Sequence, residues 1–137
     1  MTGRKRLPIG IQTFRIIREE NYYYVDKTRL ILEMLQGGRH YFLSRPRRFG
    51  KSLLLDTIKE LFEGNERLFK DLAIHSYWDW SVKYPVLRFS FGRKNYRQPQ
   101  ALEESLHQQL TQFEENFQLE RRFEDAGGRF ADLLEKI

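Results

Sequence analysis

The sequence predicts an α/β fold from three observations. A short apolar run, HYFLS at 40–44, is bounded by turn signals and suits a buried strand. A basic loop follows it directly, and a pattern of apolar residues at helical spacing begins at residue 51. Farther along, residues 85–91 alternate apolar and polar side chains, which is typical of a strand. We therefore expect strands and amphipathic helices packed into one fold.

Length and composition are those of one folded domain. The 137 residues are 40% hydrophobic and 15% aromatic, which argues against disorder. No apolar run suits a membrane span, and none follows the first charges as in a signal peptide, so we expect a cytoplasmic protein without membrane contact. The lack of cysteine and the scatter of the three histidines predict no disulfide and no structural metal.

The net charge of +5 has two local sources. They are a cluster near the amino terminus (Arg4, Lys5, Arg6) and a cluster in the basic loop (Arg45, Arg47, Arg48). Without these residues, 18 basic side chains face 19 acidic ones, so no long basic face is predicted. This count weakens a general polyanion-binding interpretation.

The first elements are assigned from turn-forming and capping residues and from the spacing of apolar residues. Residues 1–9 are predicted to be a basic flexible tail, and the domain to begin at residue 10. The stretch from there to Asp26 is interpreted as irregular structure or a short strand. Asp26 is a candidate N-cap of a helix of about ten residues that stops at Gly37.

Apolar residues at helical spacing also predict the elements that follow the basic loop. They are a helix over 51–63, a short helical turn around Leu68 and Phe69, a long helix over 102–117, and a last helix from Phe130 after a break at Gly127 and Gly128. The tryptophans Trp78 and Trp80 are predicted to pack. The acidic pairs 103–104 and 114–115 are assigned to the solvated face of the long helix.

The basic loop, RPRRFGKS at 45–52, stands where a phosphate-binding loop would stand. A strand, a loop ending in Gly-Lys-Ser and an amphipathic helix are the context of the P-loop, G-x-x-x-x-G-K-[ST]. Phosphate binding needs free helix amides, a glycine close to phosphate and a flexible ammonium, for which Gly50, Lys51 and the amides of 47–52 are candidates. The Ser52 hydroxyl is expected on a Mg²⁺ ion that bridges the outer phosphates. The predicted ligands are ATP and Mg²⁺.

One position of the loop departs from that motif. Arg45 stands where the motif has glycine, and arginine adopts a left-handed conformation less readily. Pro46 fixes one backbone angle, so we expect this loop to turn differently. All eight residues are candidate nucleotide contacts: Arg45, Pro46, Arg47, Arg48, Phe49, Gly50, Lys51 and Ser52.

Two residues before the loop are candidates for the base side of a nucleotide site. The ring of Tyr24 is able to stack on a base, and Asp26 precedes the first predicted strand. The simpler alternatives are edge packing for Tyr24 and helix capping for Asp26. Both alternatives stay open.

The chain resembles the AAA-ATPase-like family of bacterial and archaeal proteins in three segments. These are LPIGIQTFRIIREENYYYVDKT, RPRRFGKSLLLDTI, and LFKDLAIHSYW followed by YPVLRFSFG, which cover most of residues 7–92. Members of the family are predicted P-loop ATPases, often followed by a PD-(D/E)xK-type nuclease-like domain. The resemblance implies that the arginine at position 45 is the family's own variant of the loop.

The resemblance also implies a P-loop NTPase fold of the additional-strand type, a three-layer sandwich. Residues 10–137 would be its amino-terminal part, with an incomplete sheet. The acidic Mg²⁺ and water-activating residues would follow the helix that starts at Phe130, and nucleic acid would be a partner only through a missing carboxy-terminal domain. We therefore expect ATP binding as part of an ATPase domain, with little or no hydrolysis by these residues alone.

Two other functional interpretations stay open at this stage. The first is a non-enzymatic module that binds nucleic acid or a protein partner through Arg45, Arg47 and Arg48. The second is an inert truncated product that unfolds without cooperativity.

Overall fold

The computed structural model describes residues 3–46, 48–92 and 96–137, and the chain divides into two compact units. The first unit runs to Val86, and the second covers Leu87–Ile137. The helices are α1 (Phe14–Glu19), α2 (Thr28–Gly37), α3 (Lys51–Phe62), α4 (Pro99–Asn116) and α5 (Ala126–Lys136). A turn of 3₁₀-helix follows α3 at Glu66–Phe69. Within these described ranges, no helix combines the length and apolar character that crossing a membrane requires.

The predicted α/β fold is wrong for the part of the chain that the structure describes, which contains helices and no β-strand. The additional-strand P-loop sandwich, and the incomplete sheet expected of its amino-terminal part, are contradicted with it. A strand forms only when its amides and carbonyls pair with a second strand. Neither 40–44 nor 85–91 has such a neighbour among the described residues, so both lack regular secondary structure.

The segment 40–44 is anchored by a side chain instead of by a sheet. The Tyr41 hydroxyl donates to the carbonyl oxygens of Met34 and Gly38, at the end of α2. The side chain of Phe42 is 94% exposed. The prediction of a buried strand here is therefore wrong.

The segment 85–91 is held by one side-chain amide in place of a neighbouring strand. Gln109 Oε1 accepts the Ser90 amide at 2.8 Å, and Gln109 Nε2 donates to the Ser90 carbonyl at 3.1 Å. The Phe89 ring packs edge-on against Phe113, with 5.1 Å between ring centroids. The alternation in this segment thus reflects packing on α4 and not pairing in a sheet.

Helix α1 lies in the stretch that was interpreted as irregular or a short strand, so that interpretation is wrong. Its Phe14 and Ile17 are fully buried. Asp56 Oδ2, on α3, accepts the Phe14 amide at 2.7 Å, and Arg15 Nη2 contacts Glu60 Oε2 at 3.0 Å. These contacts to distant residues hold a helix of six residues that would not form alone.

The predicted helix of about ten residues that stops at Gly37, the helix over 51–63 and the turn around Leu68 are confirmed. They enclose the core of the first unit, whose fully or nearly buried members are Phe14, Ile31, Leu61, Leu68, Phe69, Leu72 and Ile74. Both tryptophans pack as predicted, since Trp80 lies 5.3 Å from Phe69 and Trp78 lies 5.2 Å from Phe62 between ring centroids.

Part of the predicted tail contacts the first unit. The Tyr23 amide donates to the Arg6 carbonyl at 3.0 Å, and the Arg6 guanidinium lies 4.8 Å from the centre of the Tyr22 ring. These contacts bring the tail beside the tyrosines. The flexibility of residues 1–9 stays a prediction.

The second unit consists of the segment from Leu87 and the helices α4 and α5. The predicted long helix is confirmed and begins at Pro99. Proline has no amide hydrogen, but the first residue of a helix has no helical acceptor for one, so no hydrogen bond is lost. The predicted break at Gly127 and Gly128 is wrong, because α5 already begins at Ala126. Asp125 caps this helix, with its Oδ2 accepting the Gly128 amide at 2.7 Å.

A buried ion pair joins α4 to α5. Arg129 Nε and Nη2 donate to the two carboxylate oxygens of Glu114 at 2.8 and 2.9 Å. Arg129 is 2% exposed and Glu114 is 9% exposed. The prediction that Glu114 is solvated is therefore wrong, whereas Glu103, Glu104 and Glu115 are exposed as predicted.

Candidate functional site

The basic loop turns into α3 through two residues with left-handed backbone conformation. Gly50, the residue before the helix, has φ 79° and ψ 16°, and Arg48 has φ 65°. Glycine adopts this conformation without strain, whereas a side chain at φ near +60° is disfavoured. A Cβ atom at Gly50 would meet nothing within 4 Å, so its backbone angle and not crowding favours glycine there. The strained angle at Arg48 marks the loop as a candidate functional segment.

The first turn of α3 offers main-chain amides. The first amides of a helix have no carbonyl partner within the helix. Among the hydrogen bonds of the described residues, none is donated by the amides of Gly50, Lys51, Ser52 or Leu53. The helix dipole adds partial positive charge at the same end. This end of α3 therefore favours an anion.

A cleft of about 300 Å³ opens at this helix end. It is lined by Gln12, Arg48, Gly50, Lys51, Ser52 and Leu53. The described residues of this lining include two cations and no carboxylate. Lys51 and Ser52 are partly buried residues of this lining. This donor set is chemically suited to phosphate oxygens.

Of the seven nominated loop residues that the structure describes, four come together at the cleft: Arg48, Gly50, Lys51 and Ser52. The exposed residues Arg45, Pro46 and Phe49 do not line the cleft. Arg45 Nη1 lies 3.5 Å from the Phe49 carbonyl and so folds back over the loop. Arg47 lies outside the described residues.

A second cavity, of about 280 Å³, shares Gly50 and Leu53 with the cleft. Its other walls include Tyr24, Lys27 and Thr57 and are largely apolar. Burial raises the pKa of the Tyr24 hydroxyl, against the opposite effect of its hydrogen bond with Thr57. The Tyr24 ring is fixed by an edge-on contact with Phe14, at 5.2 Å between ring centroids. The cavity thus has one rigid aromatic wall next to the anion-favouring helix end.

Asp26 binds protein groups and does not line this cavity. Its Oδ1 accepts the Thr28 amide at 2.9 Å and the Thr28 hydroxyl at 2.6 Å, and its Oδ2 accepts the Ala73 amide at 2.8 Å. Partial burial acts to raise the pKa of Asp26, but these hydrogen bonds outweigh it and hold the pKa below its ordinary value. The N-cap position of α2 is Lys27, one residue after the predicted cap. The Asp26 carboxylate nevertheless accepts the amide of Thr28, the first residue of the helix.

Sequence patterns did not single out three of the residues that form these sites. Gln12 lies before α1, and nothing in its neighbourhood marks it as a cleft residue. Leu53 and Thr57 lie within the predicted helix but were given no separate role. The sequence feature that could have identified them is their position one and two turns after Gly50, because residues at that spacing share a helix face.

The described residues could hold a metal ion only together with a bound ligand. No group of three or more histidine, aspartate or glutamate side chains among them is arranged to hold a metal. The Ser52 hydroxyl is a single hard oxygen ligand in the cleft wall. A Mg²⁺ ion fits here only if a bound polyphosphate supplies further oxygen ligands.

Comparison with known proteins adds a family and one relative. The sequence model of a family described as "Predicted AAA-ATPase" matches residues 8–137. An "Uncharacterized protein in vnfD 5'region" of Azotobacter chroococcum mcd 1 is 53% identical over 133 residues, which are 96% of this chain and 26% of that protein. The chain therefore spans about a quarter of the length of that relative. No solved structure matches it. The family match agrees with the resemblance found in the sequence.

Proposed function

The chain belongs to the family of predicted AAA-ATPases, and we propose on this basis that it binds ATP through the basic loop that precedes α3. The observation that carries the proposal is the cleft at the start of α3, whose described lining residues supply two cations and no carboxylate. The first amides of the helix there have no acceptor among the described residues. A triphosphate is the ligand whose charge and oxygen atoms suit this donor set.

Each proposed contact follows from the position of a residue in the cleft. The amides of Gly50 to Leu53 donate to phosphate oxygens, and the Lys51 ammonium neutralises the outer phosphates. Arg48 adds a second cation at the rim. Ser52 is the residue that would hold Mg²⁺, which supplies charge neutralisation between phosphates when bound. Arg45, Pro46 and Phe49 contribute to the shape of the loop.

Hydrolysis is not part of the proposed activity of these residues. Phosphoryl transfer to water needs a residue that positions the water, in addition to the phosphate-binding groups. Among the residues that the structure describes, the lining of the cleft includes no carboxylate to do this. ATPase activity is proposed only for the longer proteins of the family, with residues outside this chain.

A second candidate function rests on the exposure of Arg45 and Arg48. Together with Arg47, these arginines would bind the phosphate backbone of a nucleic acid or an acidic partner. Such binding would weaken steeply with added salt and would not depend on Mg²⁺ or nucleotide. For both candidate functions we propose a cytoplasmic location, on the basis of composition.

The test compares Lys51→Ala with the unaltered chain in binding of Mg²⁺-ATP by titration calorimetry. Loss of a charge-assisted contact of about 1.5–3 kcal/mol should weaken binding about tenfold or more. The matched control is Lys59→Ala, on the same helix, which removes a partly exposed pair with Glu63 at 3.1 Å and should leave ATP affinity unchanged.

Unaltered ATP affinity in Lys51→Ala, with the same thermal unfolding as the parent chain, would overturn the nucleotide proposal. Equal weakening by both lysine variants would show a general charge effect and would favour the polyanion-binding candidate.

A further inference from the structure

The basic segment near the amino terminus is held against a run of three tyrosines. The Tyr23 amide donates to the Arg6 carbonyl at 3.0 Å, and the Arg6 guanidinium lies 4.8 Å from the centre of the Tyr22 ring. Leu7 and Pro8, which follow directly, line the same cavity as Tyr23. The basic segment thus has a defined place beside these rings.

The cations of this segment are not used inside the protein. Arg4, Lys5 and Arg6 are exposed, and their side chains form no ion pair or hydrogen bond with any residue that the structure describes. The contact of Arg6 is with the face of the Tyr22 ring, which leaves its N–H donors available. Three unpaired cations in succession favour a ligand that carries several negative charges.

One ring of the tyrosine run is available as well. The Tyr23 side chain is 48% exposed, and none of the described residues forms a hydrogen bond or a ring contact with it. Its two neighbours are already engaged, since Tyr22 lies under Arg6 and Tyr24 packs edge-on against Phe14. A half-exposed aromatic ring offers part of its surface for stacking with a flat partner.

Repeated negative charge and flat rings occur together in single-stranded nucleic acid. Its phosphates pair with arginine and lysine, and its unpaired bases stack on tyrosine rings and guanidinium planes. In a duplex the bases are already stacked on one another, and an acidic peptide binds through carboxylates, for which a tyrosine ring is not needed. A membrane surface fits less well, because segments that bind it are amphipathic helices, whereas residues 3–8 have no regular secondary structure.

We propose that single-stranded nucleic acid binds to the tail surface, a name we give to Arg4, Lys5, Arg6, Tyr22 and Tyr23. The three cations contact phosphates, and a base stacks on the Tyr23 ring. Three ionic contacts alone bind weakly at physiological salt, so the ring supplies the preference for unpaired bases. The tail surface shares no residue with the basic loop before α3, and its binding does not depend on ATP.

The test measures binding of a fluorescein-labelled oligothymidylate of about ten nucleotides to the full chain, by fluorescence anisotropy over a range of salt concentrations. The charge variant combines Arg4→Gln, Lys5→Gln and Arg6→Gln. Its matched control removes three exposed cations elsewhere in the first unit: Arg29→Gln, Arg39→Gln and Lys70→Gln. Both variants have the same net charge, so the position of the lost cations is what differs.

The salt dependence reports the ionic contacts. Each phosphate contact on a single strand contributes about 0.7 to the slope of log affinity against log salt concentration. We expect the charge variant to reduce this slope by about two and to weaken binding about tenfold or more at low salt, and the control to stay within about threefold of the unaltered chain. Equal loss in both variants would show a general charge effect and overturn the inference, as would an unaltered slope in the charge variant.

The ring contact is tested by Tyr23→Leu, with Tyr23→Phe as the control that restores a ring. Loss of one stacked base should make Tyr23→Leu weaken binding about tenfold without changing the salt slope, whereas Tyr23→Phe should keep the affinity of the unaltered chain. An unlabelled duplex of the same length should compete less well than the single strand. Unaltered affinity in Tyr23→Leu, or equal competition by the duplex, would overturn the inference.

Vesicles that contain phosphatidylserine provide the remaining comparison. The unaltered chain should bind the oligonucleotide and should not sediment with the vesicles. Sedimentation with the vesicles that is lost in the charge variant, without oligonucleotide binding, would assign the tail surface to a membrane and overturn the inference. ATP binding is measured separately through Lys51→Ala, so a failure of the proposed function is distinguishable from a failure of this inference.

Discussion

In the unit that runs to Val86 the core cluster consists of apolar and aromatic side chains, and the buried Glu60 carboxylate pairs with the partly exposed Arg15. The interior of Leu87–Ile137, by contrast, contains a buried guanidinium. The first core includes Phe69, which is fully buried between Phe14 and Trp80. In the second unit every nitrogen of the Arg129 guanidinium has an acceptor. These acceptors are supplied by Glu114, His107 and Thr111.

This difference shows which polar groups are available for a ligand. The charge of Arg129 is already used inside the protein, so this charged cluster is structural. The Lys51 ammonium has no hydrogen bond or ion pair to any residue that the structure describes, and it lines an open cleft. A candidate site is therefore indicated by unused donors on an open surface and not by the density of charged residues.

The largest effect is expected from Phe69→Ala, which breaks the apolar interior. The Phe69 ring lies 4.8 Å from Phe14 and 5.3 Å from Trp80 between centroids. Its removal leaves a cavity and should lower the free energy of unfolding by about 3–5 kcal/mol. Urea unfolding followed by tryptophan fluorescence measures this loss. Phe42→Ala, at a ring that is 94% exposed, is the control and should cost less than about 0.5 kcal/mol.

Arg129→Leu tests the polar interior of the second unit. It leaves the Glu114 carboxylate buried without its partner, which should cost about 3 kcal/mol of unfolding free energy. Replacing Glu114 by leucine in the same chain should recover most of this loss, because no uncompensated charge remains. Urea unfolding followed by helical circular dichroism measures both variants. Equal instability of the single and double variants would contradict this account of the ion pair.

The smallest effect is expected at Asp26, whose folded-state pKa is lowered. A lowered pKa contributes stability that is present above the unfolded value near pH 4 and is lost as the pH falls through the folded value. Asp26→Asn should therefore cost about 1 kcal/mol at pH 7, discounted for the exposure of the side chain, and almost nothing near pH 2. Urea unfolding of both chains across this range measures the difference. A difference in unfolding free energy that does not change with pH would contradict the lowered pKa of Asp26.

The helices α2, α3 and α4 were predictable because the evidence for them is local. Each has several apolar residues at helical spacing within its own length. Helix α1 was not predictable in this way, since it has six residues and depends on Asp56 and Glu60 of α3. The same limit applies to Glu114, whose burial depends on an arginine fifteen positions farther along the chain.

The two strand predictions failed because strand pairing is a property of two segments. The apolar run at 40–44 and the alternation at 85–91 fit strands taken singly, but neither finds a partner among the described residues. For the candidate site, Gly50, Lys51 and Ser52 were predictable because a glycine and a lysine at a helix start are neighbours in sequence. The cavity beside them was only partly predictable, since its walls come from four separate stretches of chain.

The paired hydrogen bonds between Gln109 and Ser90 have a consequence for association between molecules. An exposed extended segment with aromatic side chains is a template on which a foreign chain can add itself edge to edge. At Ser90 both bonding groups of the backbone are already occupied by the Gln109 amide. An incoming chain must first displace the Gln109 side chain. A single rotation of one glutamine side chain removes it, so the protection is local and is lost without any unfolding of α4.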